Sequence, residues 1–222
     1  ACLENKWSVV KKKCIKNNLS ASLVAYWEAR IWNLSKLSRV TERFISPSSF
    51  LKRKMISGGI DPSKIEVMHN FIDISDYQRV AEANKDYYCY VSRLSSEKGV
   101  ETLLKAAGGL PELKLKIIGT GPLEEVLISG NRLPNVEFLG YRTGDELNSI
   151  LSGSRFLIVP SEVYENNPLT VLEALSLGIP VLGSDIGGIP ELITPGFNGM
   201  LFEAGNVNDM QEKIKYLWQK PE

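Results

Sequence analysis

Histidine and cysteine are scarce in this chain: its 222 residues include one histidine and three cysteines. A single histidine, His69, rules out a metal site built from several imidazoles. It follows "KIEV" at an expected strand end, which favours a packed or solvated structural role over catalysis. Cys2, Cys14 and Cys89 are too few for a disulfide framework, so a reducing cytosol is the expected compartment. No apolar run approaches the roughly 20 residues of a membrane-spanning helix, and no signal-peptide pattern opens the chain. Net charge is absent too, with 26 basic and 26 acidic residues, so the chain as a whole offers nothing to attract nucleic acid.

That balance hides an asymmetry. Residues 1–60 hold 12 Lys and Arg against 3 Asp and Glu, whereas residues 61–222 hold 14 against 23. The basic portion therefore suits an anionic surface, or acidic protein elsewhere. Within it, "NLSASLVAYWEARIWNLSKL" (18–37) spaces Leu23, Tyr26, Trp27, Ile31 and Leu34 at helical intervals. Two readings stay open for this stripe: a core-facing surface, or, with "KKKCIK" upstream, peripheral contact with an anionic membrane. "RFISPS" and "KIEVMHN" read as strands. Between them "SSFLKRKMISGG" reads as a helix starting near Ser48 and stopped by Gly58-Gly59.

Residues 71–86 show no strand pattern and read as a linker. After them strands and helices alternate steadily. Strands are expected at 87–92, 113–119, 135–140, 155–161, 180–185 and 199–203, and helices at about 98–109, 122–129, 144–152, 168–177, 188–193 and 207–218. This is the pattern of an α/β, Rossmann-like, doubly wound parallel sheet with right-handed crossovers. Apolar runs such as "FLIV" suit strands buried on both faces. Ligands of such sheets bind beyond the carboxyl ends of the strands.

Four loops lie there. In "YVSRLSSEKGV", Arg93 and Lys98 supply two cations, enough for a diphosphate; ordinary surface pairing, such as Lys98 with Glu97, is the plainer reading. In "IIGTGPLEEVL", Gly119, Thr120 and Gly121 make a tight turn, with Pro122 expected at a first helical position. Glu124 stands where a dinucleotide fingerprint needs its third glycine. In "FLGYRTGDEL", Tyr141 or Arg142 can lie beside a flat base, and Thr143 with Glu146 matches a capping box. In "SEVYENNPLTVLEALSLG", a helix is expected to begin at Pro168 with Asn167 as its cap. Leu169 and Thr170 would then present free N–H groups to an anion. Glu173 falls roughly 8 Å along the axis from Pro168, and Glu165 lies on the other side of the helix start. Two carboxylates flanking a phosphate seat match a nucleotide sugar: ribose, diphosphate, hexose. The plainer reading leaves Glu165 solvated and Glu173 in a surface salt bridge. In "SDIGGIPEL", Gly187 and Gly188 either pass close to a ligand or form a helix-entry turn.

The run "PSEVYENNPLTVLEALSLGIPVLGSDIGGIPELI" closely resembles the E-x7-E region of family-4 retaining glycosyltransferases, which have the GT-B fold. "SRLSSEKGVETLLKAA", "IIGTGP" and "VEFLGY" resemble the other donor-side motifs in the same order, over about residues 40–218. The resemblance implies that Arg93 and Lys98 hold the donor diphosphate with no metal, in keeping with the lack of a D-x-D motif in the sequence. It implies that Glu165 binds the transferred sugar, near the amides of Asn166, Asn167, Pro168 and Leu169, and that Glu173 binds the ribose. Gly119, Gly121 and Tyr141 would border the nucleotide. It further implies residues 1–71 as the tail of an acceptor-binding domain, 72–86 as a linker and 87–222 as the nucleotide-sugar domain, hence a fragment of a longer enzyme. The acceptor, a sugar or a lipid-linked sugar, would belong to the missing half. "YENNP" with "GGIPEL" resembles transferases that build bacterial surface polysaccharides. A binding module inactive alone, or another GT-B enzyme such as a nucleotide-sugar epimerase, are the alternative readings.

Overall fold

The computed structural model describes residues 7–15, 17–31, 34–74 and 85–219, with backbone only at 34 and 35. The chain divides into two compact units, Ala1–Met68 and His69–Glu222.

The first unit contains α1 (Ser8–Lys11), α2 (Leu19–Ile31), α3 (Leu34–Val40), β1 (Phe44–Ser46), α4 (Ser49–Ser57) and β2 (Ile65–Val67). β1 and β2 pair in parallel, Ile45 opposite Glu66. The Ser48 hydroxyl accepts the Leu51 N–H at 3.1 Å and starts α4 where the sequence places the start. The helix expected over 18–37 is instead two helices, α2 and α3, with residues 32 and 33 outside the description. Val24, Trp27 and Ile31 form an exposed stripe on α2, while Ser22 is buried. These three residues therefore do not face a core.

The second unit is a six-stranded sheet with β3 (Tyr87–Val91), β4 (Lys114–Ile118), β5 (Val136–Gly140), β6 (Leu157–Val159), β7 (Val181–Ser184) and β8 (Gly199–Phe202). Every pairing is parallel, in the order β5-β4-β3-β6-β7-β8. Side chains alternate between two cores. Tyr88 and Tyr90 of β3, Ile158 of β6 and Leu182 of β7 face one side. Tyr87 and Cys89, Leu157, and Val181 face the other. On the first side lie α5 (Val100–Gly108), burying Val100, Leu103, Ala106 and Ala107, and α9 (Val207–Gln219), burying Met210 and Ile214. The second side takes α7 (Gly144–Ser152) through Leu151 and α8 (Leu169–Ser176) through Val171 and Ala174. α6 (Glu124–Gly130) joins β4 to β5. Burial on both faces explains why β3 and β6 read as apolar runs rather than as an alternation.

Several local expectations need correction. Pro122 precedes the α6 helix, which begins at Glu124. Thr143 makes no side-chain cap, and the Glu146 side chain pairs with Arg142 at 2.7 Å. Only a three-residue turn, Ile189–Glu191, forms in the expected helix 188–193. Of the expected linker, residues 75–84 lie outside the description. The parallel order reverses direction between β3 and β6, and a crevice opens at that switch point.

Candidate functional site

The loops after β3 and β6 flank the switch point, and glycine lets them close on each other. Gly99, at φ +69°, has no room for a side chain: a Cβ there would stand 1.8 Å from the Pro160 carbonyl oxygen. The Glu162 N–H donates to the Glu97 carbonyl at 3.0 Å, adding a second tie between the loops. Lys98 is thereby carried to Glu165, and Nζ forms an ion pair with Oε1. The Ser161 hydroxyl donates to the same Glu165 oxygen at 2.8 Å. Both charged side chains are largely shielded, 27% and 19% exposed. They line a cleft with Ser92, Pro160, Pro168 and Thr170.

Arg93 is used differently. Its guanidinium pairs with Glu97, four residues on, and stays 62% exposed. The Ser95 hydroxyl donates to the same Glu97 oxygen at 2.8 Å. Ser95 first, then the residue's own amide, then Arg93 hold the Glu97 carboxyl down to about 2. The pairing of Lys98 with Glu97 is therefore not the one formed.

Gly119, Thr120 and Gly121 are fixed by the β3 loop. A Cβ at Gly119 would stand 2.0 Å from the Ser92 carbonyl oxygen, and one at Gly121 2.4 Å from that of Leu94. The Leu94 N–H donates to the Thr120 carbonyl at 2.9 Å. Close packing between the two loops is thus reason enough for both glycines. Gly140 ends β5 at φ +69° in open space, and Tyr141 beyond it is 69% exposed. Gly187 and Gly188 support the β6 loop: the Gly188 N–H donates to the Glu165 carbonyl at 2.6 Å, and a Cβ on Gly187 would stand 2.5 Å from that oxygen.

The start of α8 departs from expectation. The helix begins at Leu169, one residue late, and the cap position falls to Pro168, which makes no side-chain cap. The Val171 N–H donates to the Pro168 carbonyl at 3.2 Å. Ahead of it, the N–H groups of Leu169 and Thr170 sit in the helical turn where intrahelical partners do not exist. Asn167 does not cap because its side chain is drawn elsewhere. Its Nδ2 lies 3.3 Å from His69 Nδ1, and Oδ1 is buried with no partner among the described residues. Asn70 Nδ2 donates to the Asn167 carbonyl at 2.7 Å. Asn166 and Leu169 are exposed, Thr170 half-buried, and Glu173 lies half-buried in the second turn of α8.

The sheet thus brings Lys98, Glu165, Ser161, Pro168 and Thr170 into one cleft, with Arg93 on the same loop as Lys98. Sequence reasoning missed Ser161, and with it His69 and Asn70 as partners of Asn167. Their only sequence signal is position: Ser161 closes an apolar strand, and His69-Asn70 follows "KIEV".

The family model "Glycosyl transferases group 1" matches residues 73–222, which include the six-stranded sheet and Arg93, Lys98, Glu165 and Glu173. The chain belongs to this family. Its fold is that of GT-B, family-4 type enzymes. Sulfoquinovosyl transferase SQD2 of Arabidopsis thaliana is 30% identical over 207 residues, 84% of this group 1 chain and 40% of that relative. The D-inositol 3-phosphate glycosyltransferase of a Mycobacterium species is 27% identical over 177 residues, 71% of this chain and 40% of that one. Among solved structures, Anabaena HepE in complex with UDP superposes with TM-score 0.77 at 23% identity, covering 84% of this chain and 56% of that one. The lipopolysaccharide outer core galactosyltransferase WaaB, in its apo form, gives TM-score 0.67 at 27% identity over 79% and 52% of the two chains. The group 1 chain therefore spans about 40% of the length of these two curated relatives. No helix among the described residues is long and apolar enough to cross a membrane.

Proposed function

We propose that this group 1 glycosyltransferase chain binds a nucleotide-diphosphate hexose for a retaining, metal-independent transfer to an acceptor. The observation that carries the proposal is the meeting of Lys98, Glu165 and the α8 N-terminus in one cleft at the switch point. A pyrophosphate there competes with Glu165 for Lys98, gains the exposed Arg93, and accepts hydrogen bonds from the Leu169 and Thr170 N–H groups. Glu165, released, turns its oxygens to hydroxyls of the sugar, and Glu173 takes the ribose. Asn166 and the Gly119–Gly121 turn border the ligand, and Tyr141 stacks against the base. UDP is bound in the Anabaena structure, which supports a nucleoside diphosphate as the leaving group.

In the reaction the bond from the anomeric carbon to the diphosphate oxygen breaks. The acceptor oxygen bonds to that carbon on the same face, and its proton passes to the departing diphosphate. Lys98, Arg93 and the helix tip stabilise the charge that grows on that leaving group, which is where preorganised positive charge lowers a barrier most. The names of the relatives favour a glycolipid or polysaccharide product, with a sugar or lipid-linked acceptor bound by parts of the polypeptide outside this chain. The cytosolic face of a membrane suits such an acceptor, with the basic first unit at the surface.

Calorimetric titration of UDP, GDP and ADP into the wild type, Arg93→Ala and Lys98→Ala tests the proposal. Loss of roughly tenfold in affinity or more is expected for Lys98→Ala, since a hydrogen bond to a charged group contributes about 1.5–3 kcal/mol. Equal, weak isotherms for all three proteins would reject it. The coverage of about 40% of its relatives favours a second statement: the chain alone binds donor without turnover.

A further inference from the structure

His69 and Asn70 both reach Asn167. Both residues are exposed, lie 97 and 98 positions from Asn167, and belong to the same unit as it. Neither lines the cleft. Between them they engage both the backbone and the side chain of Asn167, which is only 5% exposed.

We propose that His69-Asn70 is a positioning strap for the Asn167-Pro168 turn, setting the direction in which the first N–H groups of α8 point. The inference rests on the diphosphate reading of that helix tip. α8 has no side-chain cap, and Pro168 brings no N–H to anchor the turn. Upstream, the turn is held at Glu165 by Gly188; at Asn167 itself, the polar ties among the described residues are those to His69 and Asn70. A helix tip orients a diphosphate only while its own orientation is fixed, and a shift of about 1 Å at such a position costs a large factor in binding or rate. His69 and Asn70 are therefore positioning residues: they act on the ligand through Asn167 and not by contact.

Three substitutions in the full 222-residue chain test the strap. Asn70→Ala removes the donor, Asn70→Asp keeps the shape but offers only acceptors to a carbonyl, and Asn70→Gln returns an amide. UDP, GDP and ADP affinities are read by calorimetry, and amide hydrogen exchange is followed over residues 161–176. Asn70→Ala and Asn70→Asp are expected to weaken nucleoside diphosphate binding about five- to tenfold and to speed exchange at residues 169–171, with strands β3 and β6 unchanged. Asn70→Gln is expected to recover most of both. A space-filling role would leave Asn70→Asp like the wild type, and that result overturns the strap. If the wild type binds none of the three nucleotides, the diphosphate reading fails. Exchange at 169–171 then decides the strap alone: unchanged rates in Asn70→Ala overturn it.

Discussion

Glu97 is the residue whose chemistry departs furthest from its ordinary value on the surface of the site. Its carboxyl falls from 4.5 to about 2, through Ser95, its own amide and Arg93 in that order. A depressed carboxylate contributes stability that is complete above its unfolded value and is lost as pH falls through the folded value. The contribution of this cluster is therefore present at pH 5 and above, and disappears between about 4.5 and 2. Comparing thermal unfolding of the wild type and Glu97→Gln across that window checks the sign: the two curves converge at the acid end. Cys89 makes a second case. It is fully buried, and burial pushes its thiol up to about 12, whereas Cys14 is exposed. A thiol reagent at pH 8 is expected to modify Cys14 rapidly and Cys89 only on denaturation. Rapid labelling of Cys89 in the native protein would contradict the packing of β3. The residue scale is also where sequence reading failed. Asn167 was expected to cap α8, but its partner is His69, 98 residues away. Lys98 likewise chooses Glu165, 67 residues distant, over its neighbour Glu97. Capping rules see a few residues either side, and long-range partners lie outside them.

At the scale of elements, the sequence signal was strong for strands and weaker for helix starts. All six strands of the sheet formed within two residues of the expected ends; β3, β6 and β7 are buried nearly throughout, whereas β4 and β5 carry Lys114, Lys116 and Glu137. Helix starts depend on which side chain wins a local competition. Glu146 left the Thr143 box for Arg142, and Pro122 sits in the turn before α6 rather than in its first position. The loops between elements hold the site, and their glycines differ in kind. Gly99 and Gly140 share φ +69°, yet only Gly99 meets a neighbour, the Pro160 carbonyl. Gly140→Ala is expected to cost about 1–2 kcal/mol, the left-handed penalty alone. Gly99→Ala adds a backbone clash and is expected to cost at least about 3 kcal/mol. Denaturant unfolding of the two variants measures the difference. Equal costs would mean that the β3 and β6 loops do not press together as described.

For the whole molecule, the strand order explains why residues from distant motifs meet. Order β5-β4-β3-β6-β7-β8 puts the first and fourth strands of the domain side by side, so the loops carrying Lys98 and Glu165 become neighbours although 67 residues separate them. Alternating strands and helices show a parallel sheet with loops at its carboxyl edge, but not this strand order. What the alternation cannot show is the resting state of the cleft. There Lys98 is occupied by Glu165, and Arg93 by Glu97, so the proposed donor binding would be an exchange of partners rather than the filling of an open cation site. A crystal structure of the chain with a nucleoside-diphosphate hexose tests this most directly. The account predicts the pyrophosphate between Lys98, Arg93 and the Leu169 and Thr170 amides, with Glu165 turned from Lys98 toward the sugar. A donor bound elsewhere, with the Lys98–Glu165 pair intact, would contradict it.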